Sequence, residues 1–395
     1  MSVIRSRMRL AAAATCVTLA TTATLSACST TEKLTTGLKV KSAFEKLGEQ
    51  PSATVMASVD GTTKDAYTFL EKARGGSPSL KEARLLSRAE LTLSVGSGDT
   101  ETPLKEMKTS DAADMAAALN FGGRDVFGVK SVHDKLYLRV ALQTLVAQTG
   151  GSAEARADAA ETVALADDLP LSLHSARDAL KGKWVRVDPD AFDDFARAAE
   201  TLSERAKNRE DAKKGKGKGE DTRRGTDRVV AEEGRRTSQG VKEATAVGSG
   251  LDGQSQREFL HGMEKTLAEH ASFKAAGERG GAEIVRMTLP GRAAADDLSA
   301  ALKPLGAQVD PDAIPDGDVT AELELRRGQL TGLTMDLGQL TGNGGKGEGA
   351  AHLPLRLEFG GGAAVFVDAP GGAKELKPQD LLAAIMYGAL GRTGS

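Results

Sequence analysis

Apolar and polar side chains alternate along several short stretches of the chain, which predicts strands with one buried face and one wet face. RAELTLSV is the clearest example, because Ala89, Leu91, Leu93 and Val95 all fall on one side. The same alternation recurs in SATVMASVD, KWVRVD, AEIVRMTL, HLPLRLEF and AAVFVD. DAADMAAALNF is interpreted as a further strand, although its residues are good helix formers. Repeated one-sided alternation favours an antiparallel sheet with a solvated face.

Two longer stretches predict β-hairpins. DVFGVKSVHDKLYLRV is expected to form two strands joined at His133-Asp134, and DVTAELELRRGQLTGLTMDL to turn near Arg327-Gly328. In HLPLRLEF, Pro354 takes an outward position and has no N–H to donate. We therefore expect that strand to lie at an edge of the sheet.

Helices are predicted where apolar residues recur every three or four positions. In GLKVKSAFEKLGEQ, Val40, Phe44 and Leu47 share one face and Gly48 ends the helix. DPDAFDDFARAAETL opens with Asp188 as its N-cap. Similar stripes occur in SQREFLHGMEKTLAEH, GRAAADDLSAALKPLG and KPQDLLAAIMYGAL. Each stripe is apolar on one side only, so we expect these helices to cover one face of the sheet, in an α+β fold.

The N-terminus has the pattern of a secretory signal. Residues 1–9 carry three arginines and no acid, and residues 10–27 carry no charge. The end of this leader, Leu25-Ser26-Ala27-Cys28, resembles the bacterial lipobox, L-[AS]-[GA]-C. The resemblance implies a diacylglyceryl group on Cys28, cleavage before it, and lipid anchoring at the extracytoplasmic face of the cell membrane. The alternative is an uncleaved anchor helix, which the abundance of Thr and Ala disfavours.

Composition narrows the range of partners. Loss of the three leader arginines changes the net charge from −3 to −6, which argues against nucleic acid as a partner. The only two cysteines are Cys16, which leaves with the leader, and Cys28, which the lipid consumes. The mature protein is therefore expected to have no disulfide.

The domain organisation follows from these patterns. Residues 1–27 form the predicted signal peptide, 28–36 a short polar tether, and 37–390 a single domain. Residues 205–236 carry 12 basic and 7 acidic side chains with very few large apolar residues, which predicts a disordered basic insertion at about 205–250. The insertion either contacts anionic lipid headgroups or is a surface insertion without a role. Two smaller loops are predicted at 149–168 and 341–349.

The lipobox, the short tether and the stretches VHDKLYLRV, GKWVRVD and AELELRRGQLTGLTMDL resemble the LppX/LprG group of actinobacterial lipoproteins, which is similar in fold to the lipoprotein carrier LolA. The resemblance implies a curved antiparallel half-barrel with helices across its concave face, and between them an apolar cavity that holds acyl chains. The candidate lining residues share the dry side of their strands, and the alternative is that they form a solid core. They are Leu91, Leu93, Leu323, Leu325, Met335, Leu337, Leu355 and Leu357.

Catalytic and metal-binding patterns are lacking in the sequence. The five histidines include no i,i+4 pair, and no nucleophile motif is visible. We therefore expect no cofactor, no metal and no enzymatic activity. The sequence predicts a lipid-anchored carrier of a lipid or lipidated molecule. The alternative is an envelope protein-interaction or sensing module with the same fold and no cavity. No particular ligand, protein partner or oligomeric state is indicated.

Overall fold

The structure is a computed structural model in which helices accompany a large open sheet with mostly antiparallel strands. This confirms the predicted α+β class. The structure describes residues 31–74, 76–99, 101–107, 113–188, 190–192, 265–303, 316–341, 351–362 and 367–392, with a few single residues between 193 and 264. Among these described residues, no helix has the length and hydropathy needed to cross a membrane.

The helices and strands have the following bounds. The helices are α1 Thr31–Gly48, α2 Thr63–Arg74, α3 Leu80–Leu86, α4 Leu142–Gln148, α5 Ala153–Asp168, α6 His174–Leu180, α7 Gly291–Leu302 and α8 Pro378–Arg392. The strands are β1 Ser52–Val59, β2 Ala89–Gly96, β3 Asp114–Phe121, β4 Asp125–Val132, β5 Lys135–Val140, β6 Val185–Val187, β7 Ser272–Arg279, β8 Ala282–Pro290, β9 Asp318–Arg326, β10 Gln329–Asp336, β11 Pro354–Gly361 and β12 Lys374–Glu375.

The chain divides into two compact units, so the domain predicted over 37–390 contains both. Of the described residues, the first unit comprises those within 31–134, 148–150 and 258–368. The second comprises those within 135–147, 151–197 and 369–392.

The first unit is built on nine antiparallel strands in the order β4-β3-β2-β1-β11-β10-β9-β8-β7. Sequence neighbours pair as hairpins at β3-β4, β7-β8 and β9-β10, whereas β1 pairs with the distant β11. The pairing of β1 with β11 places the N-terminal and C-terminal strands of this unit at the centre of its sheet. The Ala-rich stretch that we interpreted as a strand is β3, which confirms that interpretation.

Helix α1 covers one face of this sheet. Val40, Phe44 and Leu47 are each less than 10 % exposed and pack with apolar residues of β1, β8, β9, β10 and β11 in one core cluster. This confirms the stripe predicted for α1. The opposite face of the sheet carries polar pairs, such as the hydrogen bond between Thr54 and Ser94 and the ion pair between Arg286 and Glu322, although Ile284 on the same side is buried.

The second unit contains a smaller apolar cluster. Strand β6 pairs antiparallel with β5 and parallel with β12. Helices α5, α6 and α8 contribute residues to the cluster, including the buried Ala176 and Ala384, around the strand residues Val185 and Val187. The predicted cap of the following helical segment is present, because the Asp188 carboxylate accepts hydrogen bonds from the N–H groups of Asp190 and Ala191.

Both predicted hairpin turns are confirmed. His133 and Asp134 have φ values of 49° and 59°, and Arg327 and Gly328 have φ values of 51° and 70°. Two consecutive residues at positive φ are the requirement of a type I′ turn, whose twist matches that of the flanking strands.

Two predictions about local structure are wrong. Residues 31–36, which we predicted as part of the tether, form the start of α1. The helix extends this far toward the N-terminus since Thr36, one turn before Val40, also packs on the buried face and is only 4 % exposed. The predicted loop at 149–168 contains helix α5, which is capped by Ser152. Its buried residues are the small Ala159 and Ala166, which give no visible apolar stripe.

The predicted position of Pro354 is also wrong. Strand β11 lies between β1 and β10 in the interior of the sheet. Pro354 is tolerated because it is the first residue of the strand, where its carbonyl accepts a hydrogen bond from the Asp60 N–H at 2.8 Å. In the predicted strand AAVFVD, Val367 and Asp368 are not in a strand, and residues 363–366 lie outside the described residues. The insertion at 205–250 and most of the loop at 341–349 lie outside them as well.

Candidate functional site

The candidate site is the face of the nine-stranded sheet that α1 partly covers, which we call the apolar face. Residues that pair directly across antiparallel strands point to the same side of a sheet. Ala57 pairs with Leu91 on one side and with Leu357 on the other. Leu357 in turn pairs with Leu333, and Leu333 with Leu323. This row of paired residues therefore defines the apolar face across five strands.

Seven of the eight predicted lining residues belong to this face. Leu91, Leu323 and Leu357 lie in the row itself. Side chains two positions apart on a strand point to the same side, which adds Leu93, Leu325 and Leu355. Met335 and Leu355 pair directly with each other in the adjacent row. The seven residues are Leu91, Leu93, Leu323, Leu325, Met335, Leu355 and Leu357.

The eighth predicted lining residue, Leu337, is not part of this face. β10 ends at Asp336, and Leu337 begins a short 3-10 helix that extends to Leu340. Its side chain packs against a separate cluster that includes Leu70 and Leu353. The prediction failed because the apolar alternation of the sequence runs one step beyond the end of the strand.

The apolar face has a covered part, formed by Leu323, Leu325 and Leu357. These side chains are 0 %, 4 % and 4 % exposed and pack in the same cluster as Val40 and Phe44 of α1. At these positions the interior is a filled hydrophobic core, which was the alternative to a cavity wall.

The remainder is the partly exposed part, formed by Leu91, Leu93, Met335 and Leu355. All four side chains are only partly buried, although they lie on strands in the interior of the sheet. Leu91 and Leu355 border the core cluster that the covered part belongs to. Apolar surface is thus left partly accessible beside a closed core.

Sequence reasoning missed two residues that extend this part of the face. Leu119 on β3 pairs with Leu91, and Phe127 on β4 pairs with Leu119. Both are partly buried. The alternation in MAAALNF placed Leu119 on one side of its strand, but only the pairing of β2 with β3 shows that this side continues the apolar face.

One carboxylate secures the end of the partly exposed part. The two oxygens of Asp336 accept hydrogen bonds from the Gly338 N–H at 2.9 Å, the Leu353 N–H at 2.8 Å and His352 Nδ1 at 2.7 Å. Burial by itself raises the pKa of Asp336, but these hydrogen bonds outweigh it and hold the pKa below the ordinary value of 3.8. Asp336 therefore holds the end of β10 against the start of β11, next to Met335 and Leu355.

A second polar cluster joins two helical segments of the first unit. One carboxylate oxygen each of Glu269 and Asp297 and one ring nitrogen of His270, all atoms that can bind a metal, lie within 4.8 Å of one another. One Asp297 oxygen is 2.9 Å from His270 Nε2 and the other is 3.3 Å from Lys265 Nζ. These hydrogen bonds, that from His270 foremost, lower the pKa of Asp297. With the Lys265 ammonium on the same carboxylate, the arrangement is an ion-pair network and a poor metal site.

The predicted lipid-attachment residue, Cys28, lies outside the described residues. No family model matches the chain, and none of the curated proteins is similar to it in sequence. The site therefore has to be interpreted from its own residues.

Proposed function

We propose that the protein is a lipid-anchored lipoprotein of the cell envelope that binds a lipid or lipidated molecule against the partly exposed part of its apolar face, without catalysis. The observation that carries the proposal is the partial exposure of Leu91, Leu93, Met335 and Leu355 on interior strands. Partial exposure of Leu91 and Leu93 on β2, and of the paired Met335 and Leu355 on β10 and β11, leaves apolar surface beside a filled core, and we take this surface as the binding site for an apolar ligand.

The energetics of burial suit an acyl chain as that ligand. Transfer of each methylene from water contributes about 0.8 kcal/mol, so a chain of about 16 carbons gains on the order of 10 kcal/mol before the costs of association. Leucine, methionine and phenylalanine side chains are sufficient for such binding, since an acyl chain makes no hydrogen bonds. The resemblance to the LppX/LprG group supports the same proposal, since acyl chains are the ligands that it implies.

The anchoring half of the proposal is supported by the sequence around Cys28. A lipobox follows an uncharged leader with an arginine-rich start. Addition of two or more acyl chains at this residue would give stable attachment to the membrane. The protein would then present its apolar face to ligands on the outer side of the cell membrane.

The second candidate function is an envelope protein-interaction or sensing module that has no ligand cavity. The specific observation in its favour is the covered part of the apolar face, where Leu323, Leu325 and Leu357 are already packed under α1. If the same packing extended over the whole face, the protein would have no room for a ligand.

Native mass spectrometry tests the proposal against this second candidate. The protein is expressed in a related bacterial host, purified in detergent and transferred to the gas phase without denaturation. We expect a tightly held lipid adduct in addition to the lipid on Cys28. Repeated absence of a non-covalent adduct, with a filled interior in an experimental structure, would support the interaction module instead.

Replacement of the anchor residue tests the lipobox independently. In Cys28→Ala, we expect loss of membrane association and a precursor that either stays unprocessed or is shed, as measured by fractionation and by the mass of the N-terminal peptide. Ser26→Ala is the matched control, because alanine is allowed at that lipobox position. Normal maturation and membrane retention of Cys28→Ala would contradict lipid anchoring.

A further inference from the structure

Helix α1 begins at Thr31, only three residues after the predicted lipid-attachment residue Cys28. Three residues span at most about 10 Å of extended chain. Thr36, five residues after Thr31, is already buried. If Cys28 is acylated, the first turn of a helix that packs in the core must therefore lie next to the headgroups.

The exposed side of α1 has an apolar residue near this end. Leu38 lies two residues from both Thr36 and Val40, which places it on the opposite side of the helix from the buried face. Its side chain is 57 % exposed, one of few large apolar side chains so exposed among the described residues. Side chains of an α-helix tilt toward its N-terminus, so Leu38 leans toward the end that would be anchored.

The basic residues of α1 are also concentrated toward its N-terminal end, where the anchor would be. Residues 31–41 carry three lysines and one acid, whereas residues 42–48 carry one lysine and one acid. Lys39, beside Leu38, forms an ion pair with Glu283 at 2.7 Å but keeps 57 % of its side chain exposed. A basic, partly apolar end on the side of the anchor, followed by a part of the helix with no net charge, is a charge order that an anionic membrane surface favours.

We propose that the N-terminal half of α1 lies on the surface of the membrane that carries the anchor, with Leu38 in the headgroup region and the neighbouring lysines against anionic lipids. This inference rests on the proposed lipidation of Cys28 but not on the binding of a ligand. The first unit is then held close to the bilayer through a core helix, with three residues as its only tether.

The orientation restricts the place where the protein can take up or release an apolar ligand. A packed unit within reach of so few residues cannot leave the surface of its own membrane. Any apolar ligand is therefore taken from, or delivered to, the outer leaflet of the membrane that holds the protein.

Site-specific fluorescence tests this orientation. If Cys28 is acylated and Cys16 leaves with the leader, as we propose, a single introduced cysteine is the only free thiol of the mature protein. Leu38→Cys is labelled with an environment-sensitive fluorophore and the full lipoprotein is reconstituted in vesicles of phosphatidylcholine with a minor share of phosphatidylglycerol. Leu80→Cys, at an exposed leucine of α3 in the same unit, is the matched control, with 67 % of that side chain exposed.

We expect quenching by spin-labelled lipid to be at least about threefold stronger for the probe at position 38 than for the probe at position 80, with a blue-shifted emission at position 38 only. Equal, weak quenching at both positions in protein that carries lipid on Cys28 and sediments with vesicles would overturn the orientation and leave the anchor intact. A mass spectrum with no lipid on Cys28 would overturn the anchor and the orientation together.

Discussion

The covered and the partly exposed parts of the apolar face are built from the same residue types and the same strand alternation, but they differ in burial. Leu323 and Leu357 are closed under α1, whereas Leu93 and Met335, on strands of the same sheet, remain partly accessible. The covered leucines belong to one core cluster with Val40, Phe44 and Leu47 of α1, and Leu91 and Leu355 of the partly exposed part only border that cluster. Alternation along a strand identifies a dry face, and only tertiary packing decides whether that face is core or binding surface.

The largest expected loss of stability follows from a substitution in the covered part. We expect Leu323→Ala to lower the free energy of unfolding by about 3 kcal/mol, because truncation of a fully buried leucine loses transfer free energy and leaves a cavity. Urea unfolding followed by circular dichroism measures the change. A loss below about 1 kcal/mol would contradict the assignment of this position to a filled core.

An intermediate effect is expected at the carboxylate that secures the end of the partly exposed part. Asp336→Asn should lower the free energy of unfolding by about 1–2 kcal/mol near neutral pH, since it weakens the hydrogen bonds to Gly338, Leu353 and His352.

This effect should depend on pH in a defined direction. The folded pKa of Asp336 is lower than its unfolded value of about 3.8, so the carboxylate stabilises the fold above that pH and the stabilisation is lost as the pH falls further. The stability difference between the natural protein and Asp336→Asn should therefore shrink between about pH 5 and pH 2. A difference that stays constant across this range would show that the charge of Asp336 does not contribute.

The smallest effect is expected at the partly exposed part itself. Met335→Ala should cost about 1 kcal/mol or less in the ligand-free protein, because its side chain loses less buried area than Leu323 does. Thr334→Ala, one residue away on the polar face, is the matched control. A cost for Met335→Ala equal to that of Leu323→Ala would remove the distinction between the two parts.

Local signals in the sequence predicted many of the strands and both of the hairpin turns that we expected. His133-Asp134 and Arg327-Gly328 are turn residues between alternating runs, and each adopts the positive φ that the turn requires. The buried stripe of α1 was equally visible, because Val40, Phe44 and Leu47 repeat at helical spacing.

Predictions that depended on distant parts of the chain failed. Nothing near Pro354 indicates that β11 pairs with β1, some 300 residues earlier, so the proline suggested an edge strand. Helix α5 was missed because its buried contacts are alanines, which are common throughout the chain. The division of the apolar face into two parts depends on which of its residues the core cluster encloses, and the alternation along a strand does not encode that.

A steric block of the partly exposed part tests the central claim most directly. Leu93→Trp adds bulk on the apolar face, and Thr92→Trp adds the same bulk on the opposite face of the same strand. Native mass spectrometry then measures the fraction of each variant that carries a non-covalent lipid. We predict that Leu93→Trp loses most of its bound lipid while Thr92→Trp keeps the level of the natural protein. Equal lipid occupancy in both folded variants would contradict binding at this face.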